Sequence, residues 1–345
     1  MKQLQLTIFL LGLTVLSFAQ DKHFSQFYAA PHLLNPAITG LFDGKYRGMV
    51  NYRTQWASLA DEPFTTIGAA VDGNFKLFKR SKYNDRLGVG VMLFSDKVGE
   101  QAYSTDQISF SGAFHKALDY AGRQILTAGY QMSIVQKSIN FNQVTFHDQF
   151  NGLDGYTLST QENLPINNIT YADMSLGIFY AMEVNDKFSF HAGGSLSHIN
   201  APDASFYENP DIEPDNISIK STIQAGAKYR ISKQYDFEPR LIILIQGDHT
   251  EIDAGANFRI ALDDYASQNL YLGLYFRPVS DVTGELSLDA IIPMVAYRYE
   301  NVQVGLSYDI NTSELSSVTA GRGGFELSAS FIGSYENDNI ICPQF

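Results

Sequence analysis

The sequence predicts an all-β fold: a transmembrane antiparallel β-barrel of about fourteen strands behind a short N-terminal plug or lead-in segment. Three observations carry that expectation. The N-terminus reads as an export signal, the rest of the chain alternates apolar and polar residues in short segments, and the longest connections fall on one side of the zigzag. Past the signal, no uninterrupted apolar run approaches the ~18 residues of a spanning helix. The longest is Leu241-Ile-Ile-Leu-Ile245.

Met1-Lys2 is a short basic start, Leu4 to Leu16 an apolar stretch, and Ser17-Phe18-Ala19 a small-x-small cleavage site. This predicts a cleaved signal peptide over 1–19 and a mature chain from Gln20 in a bacterial outer membrane. No cysteine follows the cleavage site, so lipoprotein processing is not expected. The remaining divisions are a lead-in over 20–43, a barrel over 44–336 and a tail over 337–345. Cys342 is the one cysteine, which excludes an internal disulfide and any CxxC zinc site. With 37 acidic against 24 basic side chains, the chain does not read as a nucleic-acid binder.

The first strand shows the alternation plainly. Tyr46, Gly48, Val50, Tyr52, Thr54 and Trp56 share one face, and Arg47, Met49, Asn51, Arg53 and Gln55 the other. The pattern returns at Leu87–Leu93, Leu126–Ile134, Ala172–Tyr180, Ile252–Ile260, Val302–Ile310 and Phe325–Phe331. Weaker segments lie near 64–72, 103–116, 186–198, 217–229, 239–247, 269–277 and 284–292. Each is roughly ten residues long, the length a tilted strand needs to cross a bilayer. If both chain ends are periplasmic, odd-to-even connections face outward. The three longest connections, about 135–170, 200–216 and 311–322, all do so, whereas links such as 183–187 and 230–234 are short.

Four groups of residues are candidates for function. His23, Phe24, Gln26, Phe27, Asn35 and Pro36 mark an aromatic-rich segment with an Asn-Pro turn signal. It can plug the barrel mouth, dock a periplasmic partner, or serve as a structural lead-in. Arg47, Asn51, Arg53 and Gln55 form a polar lumen face whose arginines would pair with acids such as Asp72 or Asp106. Lys76, Lys79, Arg80, Lys82 and Arg86 crowd the link between strands 2 and 3, a basic periplasmic turn suited to outer-membrane lipid headgroups or an acidic partner. Asp203, Glu208, Asp211, Glu213 and Asp215 form an acidic outer loop without calcium-loop spacing, read as solvated.

Catalytic and cofactor chemistry finds no frame. The seven histidines (His23, His32, His115, His147, His191, His198, His249) show no HxxH or HExxH spacing. On one strand, His191 and His198 differ in parity and would face opposite sides. His191 and Ser195 share a parity, a chance-level match to a hydrolase pair. Gly321-Arg-Gly-Gly324 lacks the phosphate-loop frame and reads as a turn. No metal, cofactor or enzymatic activity is expected.

Certain motifs at the two ends carry a resemblance. Gln20-Asp-Lys-His-Phe-Ser-Gln-Phe-Tyr28, Pro31-His-Leu-Leu-Asn-Pro-Ala-Ile-Thr-Gly40 and Asn51-Tyr-Arg-Thr-Gln-Trp56 open the mature chain. Ser307-Tyr-Asp-Ile-Asn311, Gly321-Arg-Gly-Gly-Phe-Glu-Leu327 and Cys342-Pro-Gln-Phe345 close it. Together they resemble the PorP/SprF family of Bacteroidetes, outer-membrane proteins of type IX secretion and gliding motility. That family usually carries a basic residue where this chain has Gln344. The resemblance implies a non-catalytic accessory that delivers or anchors adhesin-like surface proteins by their C-terminal domains, with periplasmic secretion or motor components as further partners. The alternative from the strand pattern is a channel for small or hydrophobic solutes, and a lipid-face hydrolase ranks last.

Overall fold

A chain of alternating strands satisfies its backbone in lipid only by closing on itself, with one set of side chains outward and the other in the lumen. The computed structural model does this; it describes residues 23–57, 63–77, 83–99, 103–141, 144–207, 215–264, 267–280, 284–313, 316 and 321–333. The strands are β1 (Tyr46–Gln55), β2 (Phe64–Lys76), β3 (Arg86–Val98), β4 (Tyr103–Ala117), β5 (Gln124–Ser138), β6 (Asn168–Asn185) and β7 (Phe188–Ser197). They continue as β8 (Lys220–Arg230), β9 (Tyr235–Gln246), β10 (His249–Ala261), β11 (Gln268–Ser280), β12 (Leu286–Tyr299), β13 (Val302–Asn311) and β14 (Arg322–Gly333). Each pairs antiparallel with its sequence neighbours, and β1 closes the barrel on β14, with Tyr46 opposite Gly333 and Gln55 opposite Gly324. Every segment expected from alternation falls on a strand. The expected signal peptide over 1–19, the tail over 337–345 and Cys342 lie outside the described residues.

β5 shows why the wall holds. Leu126, Tyr130, Met132 and Ile134 face out, while Thr127, Gln131 and Ser133 are buried inside. Ile178 on β6 is 64% exposed, as an aliphatic side chain facing lipid should be. Odd-to-even connections gather at one end, here the loop end, including 139–167, 198–219 and 312–321. The opposite, turn end has links as short as 186–187 and 300–301.

The lumen is not left to water. Residues 23–44 run through it in three short helical turns, Phe27–Ala29, Pro31–Leu34 and Pro36–Ile38. Asn35 is the hinge between the last two. Its side-chain oxygen accepts from Ala37 N at 2.9 Å, and its amide nitrogen donates to the wall carbonyls of Ile178 (3.0 Å) and Gly194 (3.2 Å). The wall is thinned to admit this segment. A Cβ on Gly129 would overlap the Pro36–Ala37 backbone, and one on Gly177 would overlap the Asn35 side chain. Gly40 ends the segment at φ +75°, where a Cβ would also lie 2.6 Å from Gly88 Cα.

Inward apolar residues of the wall break the polar-lumen pattern where the segment rests. Phe27 and Leu34 pack with Ile242, Tyr275, Ile292 and Met294. Ala37 and Leu41 pack with Ile125 and Phe179, and Phe24 and Ala30 pack with Met92 and Phe94. Replacing Asn35 with Ala removes three hydrogen bonds at a fully buried site, a cost of about 2–4 kcal/mol. Urea unfolding in detergent micelles, followed through Trp56, should show a lower midpoint for N35A; an unchanged midpoint would contradict this seating.

Candidate functional site

Ser25 sits where the lumen segment meets the wall. Its hydroxyl donates to Asp309 Oδ2 at 2.7 Å and accepts from Arg53 at 2.9 Å and Arg277 at 2.7 Å, which uses its donor and both lone pairs. Glu326, 1% exposed, accepts from Ser25 N at 2.6 Å, Gln26 N at 2.9 Å and Arg53 at 2.8 Å. Asp309 also takes Arg53 at 3.0 Å and Arg277 at 2.9 Å. Arg277 reaches on to Asp253 at 3.0 Å and Glu251 at 3.3 Å, and His23 lies beside those same two carboxylates. Burying this much charge is costly unless each partner is present and hydrogen-bonded.

Two β-bulges lie in the strands that carry the network. Between Tyr308 and Ile310 the pairing shifts so that β14 contributes an extra residue at Gly323-Gly324, against Asp309. Between Arg277 and Pro278 the shift leaves Asp289 of β12 without an opposite number. Such bulges re-aim side chains.

A second hub is Asp72, 2% exposed. It accepts two bonds from Arg47, at 3.0 and 2.7 Å, and one from Gly40 N at 2.7 Å, with His32 Nε2 at 3.5 Å. Asn74 donates to the carbonyls of Gly40 and Gly44. Arg47 also lies 4.7 Å over the Phe42 ring, and Arg240 4.8 Å over Tyr28.

The candidate residues distribute as follows. Arg47, Asn51, Arg53 and Gln55 share the inward face of β1, and Asn51 donates to Ala29 O at 3.1 Å. Asp72 is the partner of Arg47, but Asp106 faces outward, where Ser95 donates to it; Arg53 instead pairs with Asp309 and Glu326. Phe24, Gln26, Phe27, Asn35 and Pro36 are buried in the lumen and His23 nearly so. The basic turn is corrected at Arg86, which is 3% exposed and turned inside because it opens β3 on the lumen parity; Lys76 is exposed. Lys79, Arg80 and Lys82 lie outside the described residues, as do Glu208, Asp211 and Glu213. Asp203 and Asp215 are exposed, with Asp203 accepting from Ser205 N and Asp215 N.

His198 departs from its expected side. It leaves β7 at φ +58° and turns inward, where its Nδ1 lies 3.0 Å from Asp173. Ser195 donates to Leu34 O and His191 stacks on Phe179 at 5.4 Å, so both serve the packing of the lumen.

Cavities remain at both ends of the filled section. The loop-end cavity, about 310 Å³, is floored by Leu33 and walled by Tyr103, Lys137, Tyr171, Asp173 and Lys220. The turn-end cavity, about 400 Å³, is basic. There Arg259, Lys228 and Arg230 share Asp236 at 2.7, 3.5 and 3.7 Å.

Above the loop end, the 139–167 connection is braced by its own polar groups. Asn151 Oδ1 accepts from the backbone N–H groups of Leu153, Asp154 and Gly155. Asp148 accepts from Gln161 N at 2.6 Å and from Thr160, which holds its carboxyl below the usual carboxylate range. The braced loop nevertheless presents apolar side chains: Leu153 is 87% exposed, and Phe150, Tyr156 and Leu158 are exposed beside it. Ser25 lies within the Gln20–Tyr28 motif but no spacing singles it out there, and the loop patch falls in no motif.

The profile of the family described as type IX secretion system membrane protein PorP/SprF matches residues 16–331. The chain belongs to that family. This PorP/SprF chain is thus an outer-membrane component of type IX secretion, and membership implies contact with other components of that system. A search of curated proteins finds no match. Among solved structures, the chain is similar to a TodX monoaromatic hydrocarbon channel deltaS2 mutant, at 10% identity and TM-score 0.51, covering 89% of this chain and 94% of that one. The P. putida toluene transporter TodX gives TM-score 0.47 at 8% identity over 88% and 93% of the two chains. BamA from Haemophilus ducreyi lacking POTRA domains 1-3 gives 0.43 at 10% identity over 84% and 70%. The first of these likenesses, at 10% identity, shows the barrel fold alone.

Arg53 tests the lumen network. Replacing it with Met removes the guanidinium that meets Glu326 and one of the two that meet Asp309, and should cost about 3–5 kcal/mol. A double-mutant cycle with E326Q should recover part of that loss. Simple additivity of R53M and E326Q would show that the two groups do not depend on each other.

Proposed function

We propose that this barrel is a non-catalytic outer-membrane accessory that delivers or retains type IX secreted surface proteins, adhesin-like proteins among them, by gripping their C-terminal domains at the loop end. The observation that carries this reading is the 139–167 connection. A loop braced by Asn151 and Asp148 and yet exposing Phe150, Leu153, Tyr156 and Leu158 is pre-organised for a partner, since exposed apolar patches of this kind mark interaction sites. The loop-end cavity beneath it gives such a partner a recess.

In this reading the lumen segment is a permanent plug, and the barrel wall supplies anchorage rather than a conduit. The loop end faces the cell exterior and the turn end the periplasm, where secretion or motor components would meet the basic cavity around Asp236. The channel alternative is supported by the fold alone.

The test is affinity purification of the tagged chain from its native membranes in mild detergent, with mass spectrometry of what accompanies it. The expected result is recovery of a secreted protein's C-terminal region, at least roughly tenfold reduced in a variant carrying L153S, Y156S and L158S, in line with the loss of central interface anchors. Recovery of the barrel alone, or equal recovery by that variant, would overturn the reading.

A further inference from the structure

His23, Glu251 and Asp253 meet inside the barrel although more than two hundred residues separate the first from the other two. His23 Nε2 lies 2.6 Å from Glu251 Oε1 and 3.9 Å from Asp253 Oδ2, and all three atoms fall within 4.8 Å of one another. Three bonds of about 2.1 Å at tetrahedral angles set donor atoms roughly 3.4 Å apart, so an ion would spread the His23–Glu251 pair and draw Asp253 Oδ2 in, each by under about 1 Å. All three atoms are buried without a well-aligned hydrogen bond, and Glu251 Oε1 is met only by ion-pair contacts, from His23 at 2.6 Å and Arg277 Nε at 3.3 Å. Glu251 and Asp253 are 4% and 1% exposed. Carboxylate oxygens kept from water and hydrogen bonds are costly to leave so.

The charge balance points the same way. The linked group holds four carboxylates, Glu251, Asp253, Asp309 and Glu326, against two guanidiniums, Arg53 and Arg277. A neutral imidazole leaves an excess of two negative charges, and a protonated one still leaves an excess of one. A divalent cation on a neutral imidazole closes the account.

We propose that His23, Glu251 and Asp253 bind a divalent first-row metal ion that pins the lumen segment to β10. One imidazole nitrogen with two carboxylate oxygens is a borderline donor set, suited to Zn²⁺ and its neighbours and poorly suited to Mg²⁺ or Ca²⁺, which take all-oxygen shells. Arg277 is the orienting neighbour. Its Nε holds Asp253 by Oδ1 at 3.0 Å, which leaves Oδ2 turned to the ion, while its other nitrogens are fixed by Asp309 and Ser25. His23 stands at the start of the lumen segment, so the ion ties that end to the wall as Asn35 and Asp72 tie its middle and its end.

The test uses the full chain in detergent, purified without a histidine tag, stripped with EDTA and titrated calorimetrically with ZnCl₂. The expected result is one Zn²⁺ per chain, with affinity lowered roughly tenfold or more in H23A and in D253N. Millimolar Mg²⁺ or Ca²⁺ should fail to compete. Heat-modifiable migration on gels establishes that each variant is folded. Zinc K-edge absorption on the wild-type chain should show one imidazole nitrogen among oxygen ligands, which needs no variant to fold. Absence of binding heat, wild-type affinity in both variants, or an all-oxygen or sulfur shell would each overturn the proposal.

Discussion

Everything inside this barrel depends on a buried charge cluster being complete. Arg53 and Arg277 are walled off from water and are tolerable there because Asp309, Glu326, Asp253 and the Ser25 hydroxyl meet them. Ser25 comes from the lumen segment and the charges come from the wall, so neither part is satisfied alone. The barrel without the segment would hold unpartnered donors and acceptors. The segment without the barrel has little of its own to keep three short helical turns in place. This mutual dependence places the segment more firmly than its apolar contacts do, because those are non-directional and the hydrogen bonds of Ser25 and Gln26 to charged groups are not.

Alternation made the wall legible. A period of two names the lipid face directly, since lipid tolerates little but apolar side chains, and Arg47 with Asp72 could be paired from neighbouring strands. The lumen was less legible for a physical reason. Its solvent is another part of the chain, so its inward residues are polar around Ser25 but apolar at Ile242, Phe179 and Met92, wherever Phe27, Leu41 or Phe24 arrives. Bulges at Gly323-Gly324 and Asp289, and the left-handed turn at His198, redirect side chains in ways that parity does not register. Sequence proximity to Lys79 and Arg80 groups Arg86 with the basic periplasmic turn and hides its place on the inward face of β3.

The two ends of the molecule offer different chemistry. The loop end presents braced apolar side chains above a recess, and the turn end presents cations that outnumber the carboxylate they share at Asp236. On the function proposed above, the loop end would meet a translocated protein and the turn end periplasmic machinery, and a filled barrel would connect the two mechanically without opening a path for solutes. The glycines at 129 and 177 lie where the wall must let the segment approach, its Pro36–Ala37 backbone at Gly129 and the Asn35 side chain at Gly177.

The central claim is that residues 23–44 stay in the lumen and keep it closed. Planar-bilayer conductance of the purified chain tests this most directly. The wild-type protein should insert without steady current, and S25A, which removes the hydroxyl shared by Arg53, Arg277 and Asp309, should show intermittent openings. A steady, ohmic conductance in the wild-type chain, unchanged in S25A, would contradict the account.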